Sequence, residues 1–236
     1  MNGILDYGLL LLLLLGLVYG CYALWDSQNL AEEATSEQYA IYKPQEDTLG
    51  FQELQSMNSD VIAWITVYDT PIDYPVVQGK DNLEYLNKDV YGKYSLGGTV
   101  FLDSRCNKNF QDPYSILYGH YMEKHLMFGD LELYKKSSFA EKHHTGILMI
   151  PGKKYPLKIF AVLAVRSTDS YIFDPSQYKN NRQQFLNYVK MKANWMQNDK
   201  IEILNSQSGN YSVLALGTCS TDQVDDRTVV LAMYKK

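Results

Sequence analysis

Residues 211–219 read YSVLALGTC, and residues 227–234 read RTVVLAMY. Both stretches are short apolar runs rich in Val, Leu and Tyr, which is the pattern of a buried β-strand. The first run ends on Cys219, and Arg227 opens the second run eight positions later. If a loop over residues 220–226 joins them as neighbouring strands, Cys219 and Arg227 lie side by side at one end of a sheet.

The rest of the chain from residue 61 onward shows the same alternation of short apolar runs and turn residues. Gly, Pro, Asn and Asp separate these runs, so the sequence predicts a mainly β domain, either a closed barrel or a sandwich. Further strands are predicted over residues 61–67, 72–78, 99–103, 115–119, 146–150, 157–166 and 200–204.

One segment departs from the β pattern. Over residues 181–198, Leu186, Val189, Ala193 and Met196 recur at helical spacing. Asn181 stands where its side chain can cap the first turn. We therefore predict one long helix shortly before the last strands.

The N-terminus carries an apolar stretch of membrane-spanning length. Residues 4–24 read ILDYGLLLLLLLGLVYGCYAL, with Asp6 as the only charge, and about 20 apolar residues suffice for a helix to cross a bilayer. A cleaved signal peptide and a lipoprotein signal ending at Cys21 are the alternatives, but neither has the basic residues that such signals carry. We predict a membrane anchor over residues 1–25, a polar stalk over 26–47 and a catalytic domain over 48–236.

Composition excludes some classes of function. A net charge of -5 and a pI near 5.4 argue against nucleic-acid binding, which needs clustered basic residues. Three cysteines are too few for a disulfide framework. With Cys21 in the apolar segment, Cys106 and Cys219 either pair with each other or remain thiols.

A histidine closes another predicted strand. Residues 116–120 read ILYGH, so Gly119 and His120 follow an apolar run, and the glycine allows a close approach to a neighbouring segment. Histidine changes charge near neutral pH and can move protons to and from an amine. A cysteine, a histidine and an arginine at strand ends are suited to nucleophilic catalysis, with the guanidinium stabilising an oxyanion.

These stretches together resemble the class B sortases. Residues 216–219 (LGTC) are similar to the sortase signature TLxTC, with Ala215 in place of the first Thr, and Arg227 before VVLA matches the sortase arginine. The histidine segment 118–122 (YGHYM) resembles that of class B. So do residues 72–82 (IDYPVVQGKDN), 98–103 (GTVFLD) and 127–131 (MFGDL).

The resemblance implies an eight-stranded β-barrel with an N-terminal helix and an extracytoplasmic domain on a single-pass anchor. It also implies a thioacyl mechanism with Cys219 as nucleophile, His120 as acid/base and Arg227 as oxyanion stabiliser, without metal or cofactor. The expected substrates are surface proteins or pilins with a C-terminal sorting signal, cleaved after Thr. The acceptor is an amine, of the cell wall or, alternatively, of a pilin Lys.

Three rival functions remain open at this point. A metal site is disfavoured because His120 and His125 are spaced poorly for one helix face and the pair His143 and His144 has no accompanying ligand motif. A non-catalytic surface binding module could share the fold. A cysteine protease would use the same residues with water as acceptor.

Overall fold

The computed structural model describes residues 3–44, 49–207, 209–219 and 226–236. Eight strands form its central element, in the order of the chain. They are β1 (Val61–Val67), β2 (Asp73–Val77), β3 (Val100–Leu102), β4 (Tyr114–Met122), β6 (Thr145–Ile150), β7 (Lys153–Arg166), β9 (Tyr211–Cys219) and β10 (Asp226–Lys235). Two short strands, β5 (Leu126–Met127) and β8 (Ala193–Met196), lie between them in the chain.

These eight strands close into a barrel. The hydrogen-bonded order is β10-β9-β4-β3-β2-β1-β6-β7, and β7 pairs with β10 to complete the ring. Two of the pairings, β2 with β3 and β4 with β9, are parallel. Closure leaves no edge among the eight, and the core draws buried aliphatic and aromatic side chains from β1, β7, β9 and β10. The predicted eight-stranded barrel is confirmed.

The short strands β5 and β8 lie outside the ring. β5 pairs with the end of β4, and β8 pairs with β7. The sequence patterns did not predict either of them.

The helices are α1 (Gly3–Glu33), α2 (Leu49–Met57), α3 (Ser137–Lys142), α4 (Ser170–Phe173), α5 (Pro175–Asn180), α6 (Arg182–Lys192) and α7 (Asn198–Ser206). The predicted helix near residue 181 is present as α6, and the Asn181 side chain accepts a hydrogen bond from the Gln184 backbone N–H at 3.0 Å. It is shorter than predicted, because residues 193–196 leave the helix to pair with β7 as β8.

The strand predicted over residues 200–204 is wrong, since this segment lies in α7. Ile201 and Ile203 alternate as in a strand, but the two fully buried side chains are Ile201 and Leu204, three residues apart on one helix face. The short apolar run therefore fits both the strand period and the helical period, and packing selects the helix.

The N-terminal segment extends from a long exposed helix to the barrel. α1 is long and apolar enough to span a membrane by length and composition. It continues to Glu33, into the region predicted as a stalk, and a 3₁₀ helix follows over Ser36–Tyr42. There Tyr39 is buried, and the Ala34 carbonyl accepts a hydrogen bond from the Tyr74 hydroxyl at 3.1 Å. Residues 45–48, which contain the predicted boundary between stalk and domain, lie outside the described residues.

Candidate active site

Three neighbouring strands bring the predicted site residues together. β4 and β9 run parallel, and their register places His120 opposite Cys219. β10 runs antiparallel to β9, with Val229 opposite Gly217. Continuing that register by two residues places Arg227 opposite Cys219. The backbone of Cys219 therefore lies between the strands that carry His120 and Arg227. The predicted loop over residues 220–226 falls mostly on residues 220–225, outside the described part of the chain.

The His120 ring is held by a backbone carbonyl group. Its Nε2 lies 2.7 Å from the Leu86 carbonyl oxygen. A carbonyl oxygen can only accept a hydrogen bond, so Nε2 carries the proton in the neutral ring and Nδ1 carries the lone pair. The ring is therefore oriented with one defined nitrogen available for proton transfer.

Two glycines allow this arrangement. Gly98 has a φ of +59°, and a Cβ there would lie 2.5 Å from the Leu86 carbonyl oxygen and 3.1 Å from Cδ2 of His120. A Cβ on Gly119 would lie 2.7 Å from the Phe128 ring, which confirms the close approach predicted for this position. Any larger residue at either position would displace the histidine strand or its support.

A cavity of about 350 Å³ opens beside these strand ends. His120 and Arg227 both line it, together with Thr218, the residue before Cys219. The remaining lining residues are Asn82, Leu83, Leu86, Phe101, Arg105, Tyr118, Ser167 and Phe173. The cavity thus combines apolar walls with two guanidinium groups, and these groups can donate hydrogen bonds to carbonyl oxygens of an extended peptide.

A buried carboxylate, Asp103, lies behind one wall of this cavity. Its side chain is bound in bidentate fashion by the Arg105 guanidinium at 2.9 and 2.7 Å. Burial alone would raise the pKa of Asp103, but hydrogen bonds from Arg105 and Asn82 outweigh it and hold that pKa below its usual value. The same contact raises the pKa of Arg105. Both groups are therefore charged at neutral pH.

The patterns in the sequence did not identify Asn82, Asp103, Arg105 or Phe173 as site residues. One signal was present, because Asp103 and Arg105 are charged residues directly after the apolar strand β3. The contacts that join Asn82, Arg105 and Phe173 to Asp103 at this wall link segments far apart in the chain.

Cys106 is a buried free thiol, so the alternative of a bond to Cys219 is wrong. Burial raises the pKa of Cys106 to about 12, which keeps it protonated and unreactive. His125 contacts Asp130 at 2.6 Å. Among the described residues, no group of three or more His, Cys, Asp or Glu side chains could hold a metal ion.

Comparison with known proteins gives related sequences. The chain is 35% identical to sortase B of Staphylococcus aureus over 193 residues, which cover 79% of this chain and 75% of that protein. It is 32% identical to sortase B of Listeria monocytogenes over 172 residues, covering 73% and 68% of the two chains. No family model matches the chain.

Solved structures agree in fold. A Streptococcus pyogenes class B sortase involved in pilus biogenesis superposes with a TM-score of 0.70 at 41% identity, covering 78% of this chain and 97% of that one. The Staphylococcus aureus sortase B–substrate complex gives a TM-score of 0.69 at 30% identity, covering 79% and 84%. With its closed eight-stranded barrel and these similarities, the chain belongs to the sortase B family of cysteine transpeptidases.

Proposed function

We propose that this protein cleaves a C-terminal sorting signal after a threonine and transfers the shortened protein to an amine. Cys219 is the nucleophile, His120 the general acid and base, and Arg227 the oxyanion stabiliser. The observation that carries the proposal is the register of β4, β9 and β10, which brings the three residues onto neighbouring strands, with His120 and Arg227 lining one cavity.

The reaction has two halves. In the first, His120 takes the thiol proton of Cys219, the sulfur attacks the threonine carbonyl carbon, and the C–N bond to the next residue breaks as His120 delivers that proton to the departing amine. In the second, the acceptor amine attacks the thioester carbonyl carbon and gives a proton to His120, the C–S bond breaks to leave an amide, and the proton returns to the Cys219 sulfur. The proton that Nε2 donates to the Leu86 carbonyl leaves Nδ1 as the nitrogen that exchanges protons with the substrate.

Arg227 acts in both halves. Each half passes through a tetrahedral intermediate whose negative oxygen needs hydrogen-bond donors. Arg227 is half-buried, lines the cavity and stands two residues before a part of β10 that is paired to β9. Arg227 is itself paired to Val165 of β7, and from Val229 onward β10 is paired on both sides, so the base of this long side chain is held rigidly, which favours a fixed donor position.

The acceptor has two candidates. Our prediction from the sequence is an amine of the cell wall. The 41% identity to a class B sortase involved in pilus biogenesis favours a pilin Lys as the second candidate. Deleting the protein in its host separates them: release of one surface protein as a monomer means wall anchoring, and loss of a high-molecular-weight ladder of one protein means pilin polymerisation.

The domain is extracytoplasmic in this proposal and is held at the membrane by α1. This assignment is supported by the length and composition of the helix, which would keep the enzyme at the surface where secreted substrates emerge.

The direct test uses a protein that comprises residues 27–236. It is incubated with a peptide library in which one threonine is fixed, and with glycine- and lysine-type amines as acceptors, and turnover is measured. We expect amide products joined through the threonine. Arg227→Lys keeps the charge but loses the planar fork of donors, so turnover should fall about 10²-fold or more. If only hydrolysis products form, the protein is a protease. Near-normal turnover of Arg227→Lys would assign Arg227 a structural role.

A further inference from the structure

Asp103 accepts an unusual number of hydrogen bonds for one carboxylate. Its Oδ1 accepts from the Arg105 backbone N–H at 3.0 Å and from Nε at 2.9 Å. Its Oδ2 accepts from Arg105 at 2.7 Å, from Asn82 Nδ2 at 3.0 Å and from the Tyr118 hydroxyl at 3.0 Å. The carboxylate is fully buried, so these donors replace its entire hydration shell.

The donors come from different segments, and all of them line the cavity. Asn82 precedes the 3₁₀ helix Glu84–Leu86, Arg105 follows β3, and Tyr118 lies in β4. Arg105 also donates to the Phe173 carbonyl oxygen at 2.6 Å, which ties the C-terminal end of α4 to the same carboxylate. The Phe173 ring stacks on Tyr118, with 6.3 Å between the ring centroids. Asp103 therefore connects four of the residues that form one wall.

The cluster also fixes its own backbone. The Asn82 Oδ1 accepts from the Ser104 N–H at 2.8 Å, and Gln78 donates to the carbonyl oxygens of Asp103 and Cys106 at 3.0 and 2.7 Å. The wall thus has little freedom to rearrange when a ligand enters. A preformed wall lowers the entropy that a flexible peptide ligand must lose on binding.

We propose that Asp103 is a positioning residue that sets the affinity for the sorting peptide. It acts through Asn82, Arg105, Tyr118 and Phe173 and takes no part in proton transfer, which His120 carries out. The inference rests on the proposed function only in naming the ligand as a sorting peptide. The charge itself is required, because an amide at this position has a single acceptor oxygen and would turn an NH₂ group toward the remaining donors. Those donors would then be unpaired in a buried setting, and the wall would shift to satisfy them.

The test is Asp103→Asn, which keeps the shape of the side chain. The probe is the best-cleaved member of the fixed-threonine library. We expect KM to rise about tenfold, the scale of losing one hydrogen bond to a charged group, with kcat within about twofold of wild type. The Kd of the same peptide, measured by fluorescence anisotropy on a Cys219→Ala background, should rise by the same factor.

Two further variants sharpen this test. Arg105→Gln changes a half-exposed partner and should raise KM similarly, and the double variant should add little, because both residues act on one wall. Asp73→Asn is the matched control: Asp73 also accepts from three side chains, Lys43, Trp64 and Thr66, but none of them lines the cavity in the described part of the chain. Its KM should match wild type.

The outcomes are separable. An unchanged KM in Asp103→Asn, whatever its stability, overturns the inference, as does a loss of kcat at constant KM. If Asp103→Asn does not fold, an unchanged KM in Arg105→Gln has the same meaning. Failure of the proposed function would show in the wild-type chain, as absence of any cleaved peptide, before a variant is compared.

Discussion

Asp103 and Asp73 accept similar sets of hydrogen bonds in different parts of the molecule. Asp103 is fully buried and takes its charge partner, Arg105, from two residues away in the chain. Asp73 is about a third exposed, and its charge partner, Lys43, comes from the N-terminal segment thirty residues earlier. Trp64 and Thr66 complete the Asp73 cluster at 2.7 Å each. One cluster thus stabilises a cavity wall, and the other attaches the segment that leads to the apolar helix.

Similar hydrogen-bonded carboxylates thus order a cavity wall in one place and attach a chain segment in another. A surface ion pair such as Lys43–Asp73 contributes little by itself, about 0–1 kcal/mol. Residues 34–43 also bury the Tyr39 side chain and accept the Tyr74 hydrogen bond at Ala34, and together these contacts hold the segment on the barrel. The Asp103 cluster lies wholly within the barrel domain and needs none of these residues.

The largest effect should follow from removing the attached segment. A chain beginning at Pro44 loses the burial of Tyr39, worth about 2 kcal/mol, together with one hydrogen bond of about 1 kcal/mol and the Lys43 ion pair. Relative to a chain beginning at Ser27, its melting temperature should fall by roughly 6–12 °C, as calorimetry can measure. Because the Asp103 cluster is intact, KM for the peptide should not change. Equal melting temperatures would show that residues 34–43 do not stabilise the barrel.

A smaller effect should appear in the acid stability that Asp103 provides. Its pKa lies below the usual value when folded, because the hydrogen bonds from Arg105 and Asn82 outweigh burial. The charged form therefore favours folding above the unfolded pKa of about 4, and this contribution is lost as pH falls from there through the lower folded pKa. The difference in the free energy of unfolding between wild type and Asp103→Asn should be constant from about pH 5 to 7 and shrink below pH 4. Urea unfolding at several pH values measures it, and a gap that is the same at pH 3 and pH 7 would contradict this assignment.

The strand ends were predictable because local patterns define them. Cys219, His120 and Arg227 each stand at the boundary of an apolar run, and the register of β4, β9 and β10 brings those boundaries together. The Asp103 cluster was not predictable, since it joins residues 82, 103, 105, 118 and 173 through side-chain contacts that no local period records. The prediction for residues 193–206 was wrong for another reason. The apolar residues of this segment fit both the helical and the strand period, and contacts with β7 decide between them.

The central claim is that Cys219, and not the buried thiol Cys106, carries the acyl group. The most direct measurement is peptide mapping by mass spectrometry after residues 27–236 are mixed with a library peptide in the absence of acceptor amine and quenched in acid. We expect the mass of the peptide acyl group on the fragment containing Cys219, and this adduct should be retained in Cys106→Ala and lost in Cys219→Ala. An adduct on Cys106, or peptide cleavage that persists in Cys219→Ala, would contradict it.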